Sequence, residues 1–434
     1  MTRCGGSGGE QGDRAEDSAG AAAMPSARGQ AWALARLALP ALVVGVVCSA
    51  ILLAVTAVEH LLQQALWHHL PSALEVDGAS WWWTMAVLTF TGLMVGLVVW
   101  KIPTGPDPAT EGLLGPPLPV KVIPGMLVGV ILSMAGGVSL GPENPVTAAN
   151  IALAVAIGGR LLPGIVAQTW LGLAAAGTIG ALFGTPVAAA LILSELTLGG
   201  RPTPLWDRLF APLIAAGAGS ITTVMLAAPV LSVQVPPYSP HAGDLLAAAV
   251  IASVGAVLGL AVVLAFPHTH RLVHRIRHPV VRLTLAGALL GVLGVVGGRI
   301  TLFRGVEEMK ELTAQAAAYT AAGLALIVVV KLAALLLAAT AGFIGGRIFP
   351  AVFAGVALGL LANALVPAVP VSLAIASGLL GVVLAVTQQG WLSLFMAATV
   401  VAELQLLPVL CLALLPAWLL VTGRPQMVIE ERAA

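Results

Sequence analysis

The stretch Gly136-Gly137-Val138-Ser139-Leu140-Gly141-Pro142-Glu143-Asn144-Pro145 constrains the rest of the chain most tightly. It sits among long apolar runs, yet it sets one carboxylate between two prolines and beside three glycines. Proline lacks an N–H and is accommodated at a helix start, where the first donors have no intrahelical partner anyway. The glycines let the backbone bend and come close to another group. The pattern predicts a helix that begins at membrane depth with the N–H groups of Glu143 and Asn144 free at its positive end. Such an end is an anion site, and an ionisable residue inside a membrane is a functional candidate. The same residues also suit a structural re-entrant turn in which Glu143 caps its own helix.

Composition places the stretch in a membrane. Of 434 residues, 9% are charged and 59% hydrophobic, whereas soluble domains carry about 25% charge. The chain therefore reads as an all-α polytopic membrane protein whose partner surface is the lipid bilayer. A net charge of +1, with no basic aromatic-rich stretch, gives no ground for a nucleic-acid partner. Cys4, Cys48 and Cys411 are too far apart for a disulfide framework or a metal site. His60, His68 and His69 lack the further ligands of a usual site, so neither a metal nor a cofactor is expected.

In chain order, residues 1–31 read as a disordered tail and 37–58 as the first span, long enough for the hydrocarbon layer. Residues 59–83 contain acids but no Lys or Arg and end in Trp81-Trp82-Trp83, which predicts an outside loop with an aromatic belt. Residues 84–100 return to the inside at Lys101. A span at 123–140 leads into the Glu143 helix. The run 165–198 is too long for one span and is broken at Gly184-Thr185-Pro186, leaving a helix at 187–198 with Glu195 near its end. Arg201 and Arg208 mark a cytoplasmic return, and spans follow at 209–231 and 245–266. Residues 268–282, with Arg271, Arg275, Arg277, Arg282 and four histidines, read as a basic cytoplasmic linker. Further spans are expected at 283–296, 316–340, 351–365 and 371–386, before another over-long run at 390–420. These assignments put both termini in the cytoplasm and the chain in a plasma (inner) membrane, with 423–434 a short tail and no regulatory domain.

The two halves repeat. Gly141 to Pro145 is followed after 50 residues, counted from Pro145, by Glu195; Gly342-Phe-Ile-Gly-Gly-Arg-Ile-Phe-Pro350 is followed after 53, counted from Pro350, by Glu403. Broken apolar segments at matching places point to a midplane binding site. The repeats are expected at 32–235 and 236–422.

These motifs resemble those of the CLC family of chloride channels and chloride/proton antiporters over roughly residues 32–428. Gly141-Pro-Glu-Asn-Pro145 stands where that family has Gly-Arg-Glu-Gly-Pro, and Gly342 to Pro350 resembles its Gly-Gly-Ile-Phe-x-Pro filter. Val330-Lys331-Leu resembles its lysine-containing helix, and Phe183-Gly-Thr-Pro186 through Glu195 resembles the helix ending in its intracellular glutamates. The resemblance implies inverted-topology repeats with broken, tilted helices, a homodimer with one pathway per subunit, and Glu143 as the gating residue. It also implies an anion site drawn from Gly141, Glu143, Asn144, Gly346, Arg347, Ile348 and Phe349. Arg347 admits two readings, an added attraction for anions or a cation that snorkels or pairs with an acid.

The departures bear on function. The family's Gly-Ser-Gly-Ile-Pro appears as Thr104-Gly105-Pro106-Asp107-Pro108, so its anion-binding serine falls on Gly105 with Thr104 the nearest hydroxyl. The pore tyrosine falls near Met427, and the inner proton-pathway glutamate on Leu196, one residue after Glu195. The first expectation is therefore a channel-like or uncoupled pathway for chloride-like inorganic anions. A coupled anion/proton antiporter, with Glu195 or Glu111 as relay, is the second. An enzyme is a distant third, because no catalytic arrangement appears within the spans.

Overall fold

The computed structural model describes residues 27–110, 112, 114–196, 204–227, 231–241 and 243–429. Among them the regular elements are helices, joined at one point by an antiparallel bridge between Gly141 and Gly346. Eight of the described helices are long and apolar enough to cross a membrane.

The helices fall into two matching series. The first is Ala27–Gln64, Trp81–Lys101, Ile123–Ala135, Glu143–Leu153, Ala167–Phe183, Pro186–Leu196 and Leu205–Ala227. The second is Asp244–Val273, Pro279–Gly297, Ala321–Ala341, Ile348–Leu365, Val371–Thr387, Gly390–Val401 and Leu407–Val421. Packing repeats with the order: the first member of each series lies against the fifth and the last. Across the series, Trp81–Lys101 packs on Pro279–Gly297. A Cβ on Gly92 would collide with the Leu283 carbonyl, and one on Gly287 with that of Leu88. Small residues let backbones meet where lipid offers no hydrophobic drive for helix pairing.

The structure corrects several expected boundaries. Residues 59–73 are not loop: Ala27–Gln64 runs on through a π-turn at Ala65–His69 and the helix Leu70–Ala73. The cause is Trp67, which is buried and donates its indole N–H to the Ala135 carbonyl at 3.0 Å. His68 and His69 lie exposed on this helical stretch. Nor is the linker after residue 266 irregular throughout, since Asp244–Val273 continues past Pro267, carried by the buried face Val262, Val263 and Phe266. The span expected at 123–140 ends at Ala135, and the over-long run near the C-terminal end splits at Ala402, whose φ is 59°. The helix Val306–Ala314, rich in charge, was not foreseen. Helical structure starts at Ala27, inside the stretch read as tail, while Glu111, Arg201 and Cys4 lie outside the described residues.

Candidate functional site

The two breaks meet at the centre of the molecule. Gly137 and Gly342 end the preceding helices with φ of 91° and 89°, a conformation open to glycine without strain. Each turn leads to a second glycine, and these pair: the Gly141 N–H donates to the Gly346 carbonyl at 2.9 Å, and the Gly346 N–H to the Gly141 carbonyl at 2.6 Å. The helices Glu143–Leu153 and Ile348–Leu365 start just beyond, so two positive helix ends face one small volume.

The Glu143 carboxyl occupies that volume. It is wholly buried, and its Oε1 accepts from the Ile348 N–H at 2.6 Å. Glu143 and Ile348 are 205 residues apart, the same offset as Gly141 and Gly346, so each repeat's equivalent position is the other's partner. A Cβ on either Gly141 or Gly346 would collide with the carboxyl group. The glycines thus supply space; their own N–H groups are spent on each other. Thr147 adds a hydroxyl bond to the Glu143 carbonyl at 2.5 Å.

The chain neighbours of Glu143 line two cavities, Pro142 one and Asn144 the other. One, of about 320 Å³, is lined by Pro142, Phe183 and Phe349 and by Arg304, Glu307 and Lys310. The other, of about 270 Å³, is lined by Asn144, Ile348 and Arg347 with Glu195, Gln388 and Met427. Residues adjacent in sequence to Glu143, and to its partner Ile348, therefore line two different cavities.

Arg347 is nearly buried, donates from Nη2 to the Pro108 carbonyl at 2.8 Å and lies over the Phe266 ring at 5.2 Å. Thr104 and Gly105 do not join this lining; Thr104 is half-buried and Gly105 exposed. The chain turns there, with Gly105 at φ 96°, and it is Pro108 and the buried Ala109 that reach inward. Asp107 holds that turn by accepting from the Ala109 N–H at 2.9 Å. Burial alone would push its carboxyl up, but bonds from the His274 ring, the Ala109 amide and the His270 ring outweigh this and hold it well below the usual carboxylate range. Met427 stands in the inner lining, 1% exposed.

Glu195 also reaches the inner cavity, and its Oε1 accepts from the Gly390 N–H at 3.1 Å. Lys331, wholly buried, donates from Nζ to the carbonyls of Thr301, Leu302 and Phe303 at 3.1, 3.0 and 2.9 Å and faces the Phe353 ring. The Phe303 N–H in turn donates to the Gly137 carbonyl at 3.0 Å, so Lys331 braces the first break from the second repeat. The sequence reading missed Arg304, Glu307 and Lys310; the signal was a charged run directly after an apolar stretch.

Residues 91–422 match the model of the voltage gated chloride channel family, and the chain belongs to that family. It is 49% identical over 398 residues to an Escherichia coli protein named "Putative ion-transport protein YfeO", covering 91% of this chain and 95% of that one. The Escherichia fergusonii protein of the same name is equally similar. Among solved structures, a CLC-type fluoride/proton antiporter superposes with a TM-score of 0.71 at 21% identity, covering 91% of this chain and 97% of the other. A slow cyanobacterial Cl-/H+ antiporter superposes with a TM-score of 0.77 at 17% identity, covering 90% and 96%. At these identities the structural likeness speaks for the fold.

Proposed function

We propose that this chain moves small inorganic anions of the chloride kind across the membrane, by an uncoupled pathway whose gate is Glu143. The observation that carries the reading is the Glu143 carboxylate accepting the Ile348 N–H where two helix starts meet between two cavities. A carboxylate and an anion cannot share those donors. When Glu143 is protonated or swings aside, the N–H groups of Ile348 and Phe349 and the Asn144 side are left to an anion, with the Arg347 charge in the lining of the inner cavity. The working unit in this proposal is a homodimer in the inner membrane, each copy with its own pathway and both termini cytoplasmic. Its repeats are 32–235 and 236–422. It is a transporter and not an enzyme.

A second reading, coupled anion/proton exchange, is favoured by one observation: Glu195 lines the inner cavity beside Arg347 and Asn144. The uncoupled reading rests on Leu196, which has no proton to give and occupies the position of the family's inner glutamate. Proton transfer through a low-dielectric interior needs a titratable group or water at each step. The test is a pH-electrode recording on proteoliposomes under an imposed anion gradient and a clamped potential. We expect anion flux without sustained proton movement. Uphill proton pumping that disappears in Glu195→Gln would establish exchange instead.

A further inference from the structure

Asp107, His270 and His274 converge at the end of the molecule that carries Lys101, Arg271, Arg275 and Arg277. The two histidines are one helical turn apart at the end of Asp244–Val273, an i, i+4 pair on one face. His270 Nε2 lies 3.1 Å and His274 Nε2 2.9 Å from the same oxygen, Asp107 Oδ2. The two rings stack with centroids 3.8 Å apart, and one ligand atom from each of the three residues lies within 4.8 Å of the others.

We propose that Asp107, His270 and His274 form a binding site for a divalent transition-metal ion of the zinc type, with the fourth position left to water.

The donor set is two imidazole nitrogens and one carboxylate oxygen, the three-ligand composition of open tetrahedral zinc sites. Ligands at zinc distances in a tetrahedron stand about 3.3 Å from one another, so an opening of a few tenths of an ångström at each N···O contact admits the ion.

The groups behind the ligands are already set. His274 Nδ1 lies 3.0 Å from the His270 carbonyl, which can only accept, so Nδ1 keeps its proton and Nε2 faces the site; the proton shared between Nε2 and Asp107 Oδ2 is released when the ion takes its place. The other carboxylate oxygen of Asp107 accepts from the Ala109 N–H, which fixes the orientation of Oδ2. All three side chains are partly exposed, at 16%, 23% and 26%, which leaves an entry path. The Arg282 charge also acts on Asp107 and His270. It opposes a dication and so weakens binding.

The place of the site gives it a structural consequence. Asp107 precedes Pro108, whose carbonyl holds Arg347 at the inner cavity. A metal bound here ties the loop at 102–110 to the end of Asp244–Val273 and so braces the strut that positions Arg347.

The test uses the full chain purified in detergent, titrated with ZnCl2 in a calorimeter and with CoCl2 followed by visible absorption. We expect one equivalent per chain and the d–d bands of tetrahedral Co2+. Affinity should fall at least tenfold in each of His270→Gln and His274→Gln, and stay unchanged in the double variant His68→Gln/His69→Gln. Zinc should also raise the unfolding temperature of the unaltered chain and of Asp107→Glu, which keeps a carboxylate, but not of His274→Gln. No binding by the unaltered chain, binding untouched by loss of His270 and His274, or loss only on removing His68 and His69 would each overturn the assignment.

Discussion

The two broken segments share a backbone and differ in charge. Gly137, Gly141 and Glu143 in the first correspond by the common offset to Gly342, Gly346 and Ile348 in the second, and the φ values of the turning glycines agree within a few degrees. Between these positions, Pro142 corresponds to Arg347. Repetition supplies two helix starts that face each other. The side chains then differ: one break provides a carboxylate, and the other an N–H that receives it and an arginine in the lining of the inner cavity. In the function proposed above, the symmetric scaffold forms the anion site and the departures from symmetry make it controllable.

Making the repeats more alike tests this directly. The largest effect is expected at Lys331, which corresponds by the same offset to the buried Met126. Lys331→Met strands three buried carbonyls, each worth about 1–3 kcal/mol. We expect a loss of at least about 3 kcal/mol in unfolding free energy, read from denaturation of the detergent-purified protein. A loss below about 1 kcal/mol would mean that the brace from Lys331 to Gly137 is dispensable.

Next comes Arg347→Ala, which removes the charge from the second break. Anion affinity measured by calorimetry should weaken by about 1–3 kcal/mol, as for a charge-assisted bond. Wild-type affinity would reduce Arg347 to a strut for Pro108. The smallest effect is expected for Glu143→Gln, which gives the first break a neutral side chain of the same shape. Steady anion flux in proteoliposomes should rise about tenfold, or about 1.4 kcal/mol in barrier. Wild-type flux should increase as pH falls, because protonation removes the competing charge, whereas the variant should respond little. An unchanged flux and pH profile would remove Glu143 as the gate.

Much of this architecture could be read from the residues themselves. Gly141-Pro142-Glu143 and Gly184-Thr185-Pro186 announced interruptions because glycine and proline act locally, and both interruptions are present. What escaped the reading depends on distant partners. The helix at 59–73 persists because Trp67 finds the Ala135 carbonyl, 68 residues away. The pairing of Gly141 with Gly346 spans 205 residues and leaves no local trace; Ile348 was placed with Glu143 only through the family resemblance. His270 and His274 looked like members of a basic linker until Pro267 proved tolerable inside its helix, which set them on one face.

The two bonds between Gly141 and Gly346 also bear on speed. They lie in a buried seam, and an unmade backbone bond in such a place is costly. Rocking one repeat against the other would have to part both bonds on every cycle. A side-chain swing at Glu143 leaves both bonds in place. Rotamers exchange in picoseconds to nanoseconds when unhindered, whereas hinged domains take microseconds to milliseconds. If Glu143 is the gate proposed above, throughput is set by how long one carboxyl group stays docked, and not by the turning of two halves in lipid.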